Sequence, residues 1–418
     1  MAFASTANAG ITIPAGDWTV DVGGVVNAYY TSTNLSGANT LGYGGTYMAG
    51  GSNTHANITT GLLPNYLAVS GKSRQNDLDV AFTISINPGA STVSGGKQSS
   101  QQENRQAFLT IGDASWGSVK LGKDLGIFAS DAILNDMTLL GVGAGAGTLA
   151  GNTTTLGRIG TGFMYADWKA QVSYTSPSWN GFQFTAGVTQ PFNAIAVGDA
   201  ATPISATSNG QGGAQPAFEG KASYSFAVDQ VTGKVWVSGI SQKVKGLTNA
   251  SAAYVTVGSN NAVTGHAAVA NSITNADDRA EAWDIGGNVS FAGLTVTGYY
   301  YQGSGIGQTI QLNHGFDING KARDSEGGYV QATYVLPTQT KLGVSWGESS
   351  IDANSGEAAT GNQTDEMWTV GAYHPLTKSV NLVAEYSHAK SEISGSSVAA
   401  NNREGKANTV SLGAILFF

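Results

Sequence analysis

The charged side chains of this 418-residue chain are few, and three acids among them lie close together in one segment. Asp131 and Asp136 belong to a stretch with no lysine, arginine or histidine from Leu125 to Gly157, and Asp124 directly precedes it. Basic residues flank that stretch or lie in neighbouring segments, namely Lys120, Lys123, Arg158, Lys169 and Arg74. Acids and bases that face each other across a narrow gap create a transverse field, which orients water and dipolar solutes. The chemistry that these residues suggest is electrostatic rather than covalent.

No motif typical of catalysis or cofactor binding accompanies these charges. The five histidines are dispersed without metal-ligand spacing, and the glycines of residues 141–145 lack the last glycine of a nucleotide-binding loop. There is no cysteine, which excludes thiol nucleophiles and disulfides, and no serine elbow with a plausible triad. Asp277, Asp278, Asp317 and Asp324 could bind Ca²⁺, although solvated loop acids are the simpler interpretation. We expect no enzyme activity, no cofactor and no metal.

The composition is unusual for a soluble protein of this length. Only 11% of the residues are charged and 41% are hydrophobic, while glycine alone accounts for 58 residues. No run of about 20 apolar residues is present that could form a membrane-spanning helix. Transmembrane barrels, which turn alternate residues toward lipid and toward a wet interior, have this average composition. The net charge of −8 argues against nucleic acid as a partner.

Strict two-residue alternation predicts the strands that position the charged residues. Apolar residues occupy every second place in residues 78–86 and again in residues 164–174. Because successive side chains of a strand point to opposite faces, each segment has one apolar and one polar face. By the same alternation Lys120 and Lys169 lie on the polar face, opposite Leu121 and Trp168.

The pattern predicts an all-β fold, a sixteen-stranded antiparallel transmembrane β-barrel formed by residues 10–418. The predicted strands are 17–31, 63–73, 76–87, 104–112, 116–124, 163–176, 180–190, 217–228, 232–244, 280–290, 293–303, 325–336, 340–349, 366–374, 378–390 and 406–418. The links between them are alternately short and long, as in outer-membrane barrels with short periplasmic turns and long external loops. Sixteen strands enclose an interior too wide for side chains to fill, which leaves an aqueous channel. Residues 1–9 end in Ala7-Asn8-Ala9, a small-x-small pattern that we interpret as a signal-peptide remnant.

Three stretches resemble the trimeric porins of Gram-negative bacteria, the sixteen-stranded general-diffusion family. Residues 104–111 (NRQAFLTI) with residues 116–123 (WGSVKLGK) resemble a hairpin of that family, and residues 174–182 (YTSPSWNGF) resemble one of its turns. The chain also closes on an apolar strand that ends in Phe418, like the assembly signal of the family. The similarity in topology covers nearly the whole chain.

The resemblance implies a site as well as a fold. In such porins the third long loop folds inward and narrows the barrel, with acids facing a basic wall, and the matching segment here is about 124–161. The candidate constriction residues are therefore Asp124, Asp131, Asp136, Lys120, Lys123, Asp167, Lys169, Arg158 and Arg74. Lys123 and Asp167 stand where the family carries basic residues, Lys123 in place of arginine, which puts the usual anion preference in doubt.

We therefore expect an outer-membrane porin through which small hydrophilic solutes and ions diffuse passively, with a mild preference for cations. The resemblance further implies a homotrimer embedded in outer-membrane lipid and lipopolysaccharide. Two alternatives stay open at this point. One is a substrate-specific channel, and the other is a structural barrel that holds a partner protein, such as a cytochrome, across the outer membrane.

Overall fold

The structure of the chain is a computed structural model. It describes residues 10–37, 54–90, 102–144, 154–192, 195–196, 215–244, 248–250, 254–257, 263–266, 270–272, 278–317, 320–355, 357, 361–399 and 402–418. The predicted signal-peptide remnant, residues 1–9, lies outside these ranges, as do residues 145–153 and Asp277. Within these ranges no three acidic or histidine side chains lie close enough together to hold a metal ion, and no helix is long and apolar enough to cross a membrane.

In the described part of the chain, sixteen consecutive antiparallel strands form the barrel. They are β1 (Trp18–Gly37), β2 (Tyr66–Gln75), β3 (Leu78–Pro88), β4 (Ala107–Asp113), β5 (Gly117–Leu125), β6 (Trp168–Thr175), β7 (Phe182–Thr189), β8 (Ala217–Val228), β9 (Val231–Val244), β10 (Asp278–Phe291), β11 (Leu294–Ser304), β12 (Asp324–Val335), β13 (Lys341–Ile351), β14 (Asn362–Pro375), β15 (Val380–Ser394) and β16 (Arg403–Phe417). Each of them overlaps one predicted strand, so the predicted fold is confirmed.

The sheet closes because β1 pairs on both sides. Its first half pairs with β2 along Thr19–Val25, and its second half pairs with β16 along Val25–Gly37. At the seam Gly24 and Phe418 exchange backbone hydrogen bonds, with N···O distances of 2.7 and 3.1 Å. A closed sheet leaves no row of unpaired backbone groups, which is the condition for strands to stand in lipid.

Short turns at one end of the barrel fix the strand register. Asn76 and Asp77 both have positive φ, 48° and 62°, and join Gln75 of β2 to Leu78 of β3 in a two-residue hairpin. Such turns need φ > 0 at both central residues, and asparagine and aspartate tolerate that conformation better than most residues. Since a slip of one residue would exchange the two faces of a strand, these turns decide which side chains point inward.

The outer face of the barrel is apolar and its inner face carries the polar residues. On β12 Val330 is exposed while the adjacent Gln331 is buried, and on β13 Val344 is exposed while Ser345 is buried. A soluble protein would bury the valines and expose the glutamine and serine. The reversed arrangement is the one expected for a sheet whose outer face lies in lipid.

Shorter strands lie beside the barrel or in its long links. Ile11–Ala15 folds back on β1, Thr54–Thr59 pairs with β1, and Gln102–Glu103 pairs with β3. Small two-stranded sheets are formed by Ile195–Ala196 with Asn313–Phe316, by Thr248–Ala250 with Ala270–Ser272, and by Tyr254–Val257 with Val263–His266. None of these was predicted, because two to six residues are too few for alternation to be recognised.

Candidate pore constriction

The connection between β5 and β6 folds into the interior of the barrel. It runs from Gly126, whose N–H donates to the carbonyl of Asp167 at 2.8 Å, and contains α1 (Ser130–Asn135) and a 3₁₀ turn (Met137–Leu140). We call residues 126–167 the constriction loop. Compared with the predicted bounds of about 124–161, it begins later, because β5 continues to Leu125, and it ends later, because β6 begins at Trp168 instead of residue 163. The reason is that Met164 and Ala166 are buried in an apolar cluster inside the barrel, so their alternation does not belong to a strand.

Glu219 on β8 fastens the first part of the constriction loop to the wall. Its carboxylate accepts the backbone N–H groups of Ile127 at 2.8 Å and Phe128 at 2.9 Å. The other oxygen accepts Lys169 Nζ at 2.6 Å and the Thr189 hydroxyl at 2.7 Å. Hydrogen bonds to an ionised group are stronger than neutral ones, and this carboxylate is shielded from water. It therefore fixes where the loop leaves β5.

Glu385 on β15 holds the loop where it crosses the lumen. One of its oxygens accepts the N–H groups of Val142 at 2.8 Å and Gly143 at 2.9 Å, and the other accepts the Tyr373 hydroxyl at 2.6 Å. Gly141 lies so close that an added Cβ would come within 2.1 Å of this carboxylate. A glycine is required there by this close approach.

The middle of the loop is bound to β12. Gln331 accepts the Met137 N–H at 2.9 Å and donates to the Asn135 carbonyl at 2.6 Å. The Tyr329 hydroxyl donates to the Ala132 carbonyl at 2.9 Å. Because β8, β12 and β15 lie on different sides of the barrel, these contacts show that the loop spans the lumen.

Asp131, in the first turn of α1, lies between two lysines of the wall. Lys221 on β8 contacts it at 3.0 Å, and Lys234 on β9 makes a second ion pair. Burial raises the pKa of Asp131, but the two lysines outweigh burial and hold that pKa below its ordinary value. The lysine side chains are 24% and 17% exposed and the aspartate only 6%, so solvent in the lumen meets mainly the two bases.

Asp124 and Lys120 form a second ion pair on β5. Lys120 donates to one oxygen of Asp124, and Gln106 donates to the other at 3.0 Å. The lysine side chain is 27% exposed and the aspartate 12%. The prediction from alternation that Lys120 points into the lumen agrees with this position.

Asp136 and Arg158 form a third pair, within the constriction loop itself and out of reach of solvent. Their closest charged atoms are 3.9 Å apart. Burial raises the pKa of Asp136, although Arg158 opposes that shift. The Arg158 guanidinium also donates to the carbonyl of Met367 at 2.9 Å and to the Ser345 hydroxyl. Both side chains brace the loop against the wall and do not face the water of the pore.

Lys169 and Asp167 lie at the end of the loop. Lys169 points inward as predicted but is completely buried between Glu219 and Gln311. Asp167 has a φ of 60°, and its carboxylate accepts the Trp168 N–H at 2.6 Å. Burial raises its pKa. Both residues help to set the junction between loop and strand.

Two of the nine candidate constriction residues lie away from the ion pairs described above. Arg74 lies at the end of the barrel with the short turns, where it is exposed and bonds to Asp79 at 2.9 Å and Asp113 at 2.7 Å. Lys123 is exposed on the outer face and donates to the carbonyl of Asn104 at 2.8 Å. Lys123 has the same parity as Leu121, which faces outward, so alternation itself places it outside.

The residues that fix the loop were not among the candidates. Lys221 and Lys234 fall on the inward face of the predicted strands 217–228 and 232–244, so alternation could have identified them. Alternation also places Glu219 and Glu385 on the inward face, but it does not indicate which groups they bind. They lie more than 90 and 240 residues from the backbone groups they accept, and only the closed barrel brings them there.

The sequence model of one family, described as Gram-negative porin, matches residues 1–394. No curated protein sequence matches the chain.

Solved structures with the same fold are outer-membrane proteins. The outer membrane channel DcaP of Acinetobacter baumannii is 15% identical, with 97% of this chain and 99% of that chain covered and a TM-score of 0.62. An anion-selective porin from Comamonas acidovorans is 12% identical, with 96% and 100% covered and a TM-score of 0.58. In-vitro folded OmpT of Vibrio cholerae, in a trimer form, is 14% identical, with 96% and 99% covered and a TM-score of 0.55. At these identities the similarity shows the fold alone.

Proposed function

This chain belongs to the Gram-negative porin family, and from that membership we propose that it forms a water-filled channel for passive diffusion of small hydrophilic solutes and ions. The family and the fold indicate an outer-membrane channel rather than an enzyme. The observation that carries the proposal is the constriction loop, which spans the lumen and leaves Lys120, Lys221 and Lys234 partly open to solvent. Charged side chains at the narrowest part of a pore act on every solute that passes.

We assign the constriction to the pairs Asp124–Lys120 and Asp131–Lys221/Lys234. Asp124 and Lys120 lie on the inner face of β5. Asp131 lies on the constriction loop and contacts Lys221 and Lys234 on the inner face of β8 and β9. A field across such a gap favours solutes with a dipole over apolar ones, because only the former gain energy by aligning. Arg158, Asp136, Asp167 and Lys169 act in this proposal as supports of the loop.

We further propose that the channel prefers cations mildly. The net charge of −8 supports a preference for cations at the two mouths. The preference is mild because the two acids of the proposed constriction are paired with bases, Asp124 with Lys120 and Asp131 with two lysines. A reversal potential of cation sign in a salt gradient is the expected result, and a reversal potential of anion sign would refute this part of the proposal.

The partners that we propose are two further copies of the chain, outer-membrane lipid and lipopolysaccharide. The exposed apolar residues of the outer face, such as Val330 and Val344, support contact with lipid or with another barrel. The trimer form of the OmpT structure supports the homotrimer. Molecular mass measurement in mild detergent tests the trimer directly.

Conductance in a planar bilayer tests the channel itself. We expect stepwise insertion events, each with a current that rises linearly with voltage and with salt concentration. A current that saturates, or that one solute blocks at low concentration, would support the substrate-specific channel instead. The alternative of a barrel around a partner protein has less support, because the chain's own constriction loop occupies the interior that such a partner would need.

A further inference from the structure

A second connection also folds into the barrel, the one between β11 and β12. We call residues 305–323 the inner brace; residues 305–317 and 320–323 of it are described. Its base is closed by the N–H of Gly305 donating to the Arg323 carbonyl at 2.9 Å, and by the N–H of Arg323 donating to the Gly315 carbonyl at 2.8 Å. Gly305 has a φ of 72°, a conformation that favours glycine, and turns the chain away from β11.

The brace buries apolar side chains in the lumen. Ile306, Leu312 and Phe316 are each at most 1% exposed and belong to the same apolar cluster as Phe128 and Phe163 of the constriction loop. A loop that extended from the barrel into water would leave three such side chains exposed at a cost in free energy. Their burial against the constriction loop therefore favours the inward position of both segments.

The two inner segments are joined by a specific set of hydrogen bonds. The N–H of Tyr165 donates to the Thr309 carbonyl at 2.9 Å. The amide of Gln311 donates to the carbonyls of Tyr165 at 3.0 Å and Ala166 at 3.2 Å, and its oxygen accepts Lys169 Nζ at 2.5 Å. All the hydrogen-bonding atoms of one side chain of the brace are thus committed to the end of the constriction loop and the start of β6.

The brace is itself held by the wall and by the next loop. The Gln308 amide donates to the Ser349 carbonyl of β13 at 2.6 Å, and the Tyr301 hydroxyl of β11 donates to the Gln308 carbonyl at 3.2 Å. At its base Arg323 and Glu357 form an ion pair at 3.3 Å, with both side chains at most 3% exposed. A segment fixed on three sides acts as a rigid part of the barrel.

We propose that the inner brace is a second constriction element, which takes up part of the cross-section of the lumen and holds the constriction loop in place through Gln311. This inference rests on the proposed function, because a constriction has a meaning only in a channel. The brace acts as a fixed support and does not open and close. The two elements together exclude solutes that could pass the constriction loop alone.

Shortening the brace tests the inference. In one variant residues 308–311 are replaced by Gly-Gly. In a second, Gln311→Ala removes the bonds to Tyr165 and Ala166 of the constriction loop and to Lys169 of β6. Gln230→Ala, an exposed glutamine in a short turn, is the matched control. We expect the single-channel conductance of the shortened barrel to rise about twofold, a smaller rise with more current fluctuation for Gln311→Ala, and no change for Gln230→Ala. Circular dichroism and trypsin resistance confirm that each barrel is folded.

The outcomes separate this inference from the proposed function. If the wild type conducts and the folded, shortened variant has the same conductance, the inference is refuted and the channel stands. If only the shortened variant conducts, the brace narrows the lumen as inferred, and the open wild-type channel is refuted. If neither folded protein conducts, the inference and the proposed channel function are both refuted.

A disulfide between the two inner segments tests whether the brace is fixed. Tyr165 and Ile310 form a parallel bridge, and the chain has no cysteine of its own. Bridged backbones lie about 4.7–4.9 Å apart, a spacing within the Cα–Cα range of disulfides. In the Tyr165→Cys/Ile310→Cys variant we expect an oxidant to form the cross-link and the conductance to be the same before and after reduction. Failure to cross-link, or a conductance that changes on reduction, would refute a fixed brace.

Discussion

Asp131 is the constriction acid that contacts two bases rather than one. Lys221 and Lys234 both contact it, and their attraction holds its pKa below the ordinary value despite burial. Without the aspartate, two lysines would lie side by side at the lumen with no acid between them. The charge of this one residue therefore has a large influence on the field that ions experience.

Asp131→Asn should shift the ion selectivity toward anions. Removing one negative charge leaves the local charge of the cluster at plus two instead of plus one, and fixed charges at a constriction set ion preference. We expect the cation/anion permeability ratio, measured as a reversal potential in a salt gradient, to fall about twofold or more. Asp229→Asn, at an exposed position in the short turn between β8 and β9, is the control for a general loss of charge.

The difference in ion selectivity between the wild type and Asp131→Asn should depend on pH. A carboxylate whose pKa is lowered in the folded protein stays ionised as the pH falls past its ordinary pKa of 3.8. The difference in selectivity between wild type and Asp131→Asn should therefore persist at pH 4 and be lost only in more acidic solution, where Asp131 finally takes up its proton. Loss of the difference already near pH 5 would show that the two lysines do not hold Asp131 in this way.

Glu385 is a residue whose role lies in position rather than in charge at the pore. Glu385→Ala leaves the N–H groups of Val142 and Gly143 without their acceptor, at a cost of about 1–3 kcal/mol for each buried group. We expect the loop to shift, which would raise both the mean conductance and the current noise. Glu385→Gln keeps an acceptor oxygen, so its conductance and current noise should lie between those of the wild type and of Glu385→Ala. Glu281→Ala, on the exposed outer face, is the control, and equal traces from all four proteins would contradict the anchoring role.

At the scale of strands, period-two alternation was sufficient to identify all sixteen, but not all their bounds. It failed at residues 163–167, where Met164 and Ala166 alternate with polar neighbours yet belong to the constriction loop. Lipid outside the barrel and the apolar cluster inside it shield an apolar side chain from water equally well. Local sequence cannot distinguish these two environments, because the second exists only after the loops have folded inward.

The outer face of β12 gives a direct test of lipid contact. Val330 lies near the middle of the strand and is exposed. Val330→Arg should lower the free energy of unfolding in lipid vesicles by about 2–4 kcal/mol, since an arginine at mid-membrane loses its hydration. Gln302→Arg, near the end of β11 that leads into a long link, should cost about 0–1 kcal/mol. Equal effects of the two substitutions in denaturant titrations would argue against a membrane-embedded face.

At the scale of the whole molecule, closure and strand count could be predicted, whereas the contents of the lumen could be predicted only in part. The constriction loop was expected from resemblance, and its acids Asp124, Asp131 and Asp136 do lie inside the barrel. The inner brace was not expected. Its contacts, such as Gln311 with Tyr165, join residues that are far apart in the sequence, and nothing in either segment indicates the other.

The closed barrel also explains why so few charges are sufficient. Some acids of the described inner face lie next to bases, with Lys169 against Glu219 and Lys120 against Asp124, whereas Glu385 is held by uncharged hydrogen-bond donors. A buried charge without such partners would be strongly destabilising, so the interior carries charge where an ion pair or several hydrogen bonds can form. Polar uncharged residues cover the rest of the inner wall and hold water without that cost.

Permeation of uncharged solutes into liposomes that contain the protein tests the central claim most directly. Sugars of increasing size are added outside, and the swelling rate is followed by light scattering. A passive aqueous channel predicts swelling rates that fall steadily with solute size and rise in proportion to concentration without saturation. Liposomes that hold the folded barrel but swell no faster than empty ones, or that admit a single sugar with saturable kinetics, would contradict it.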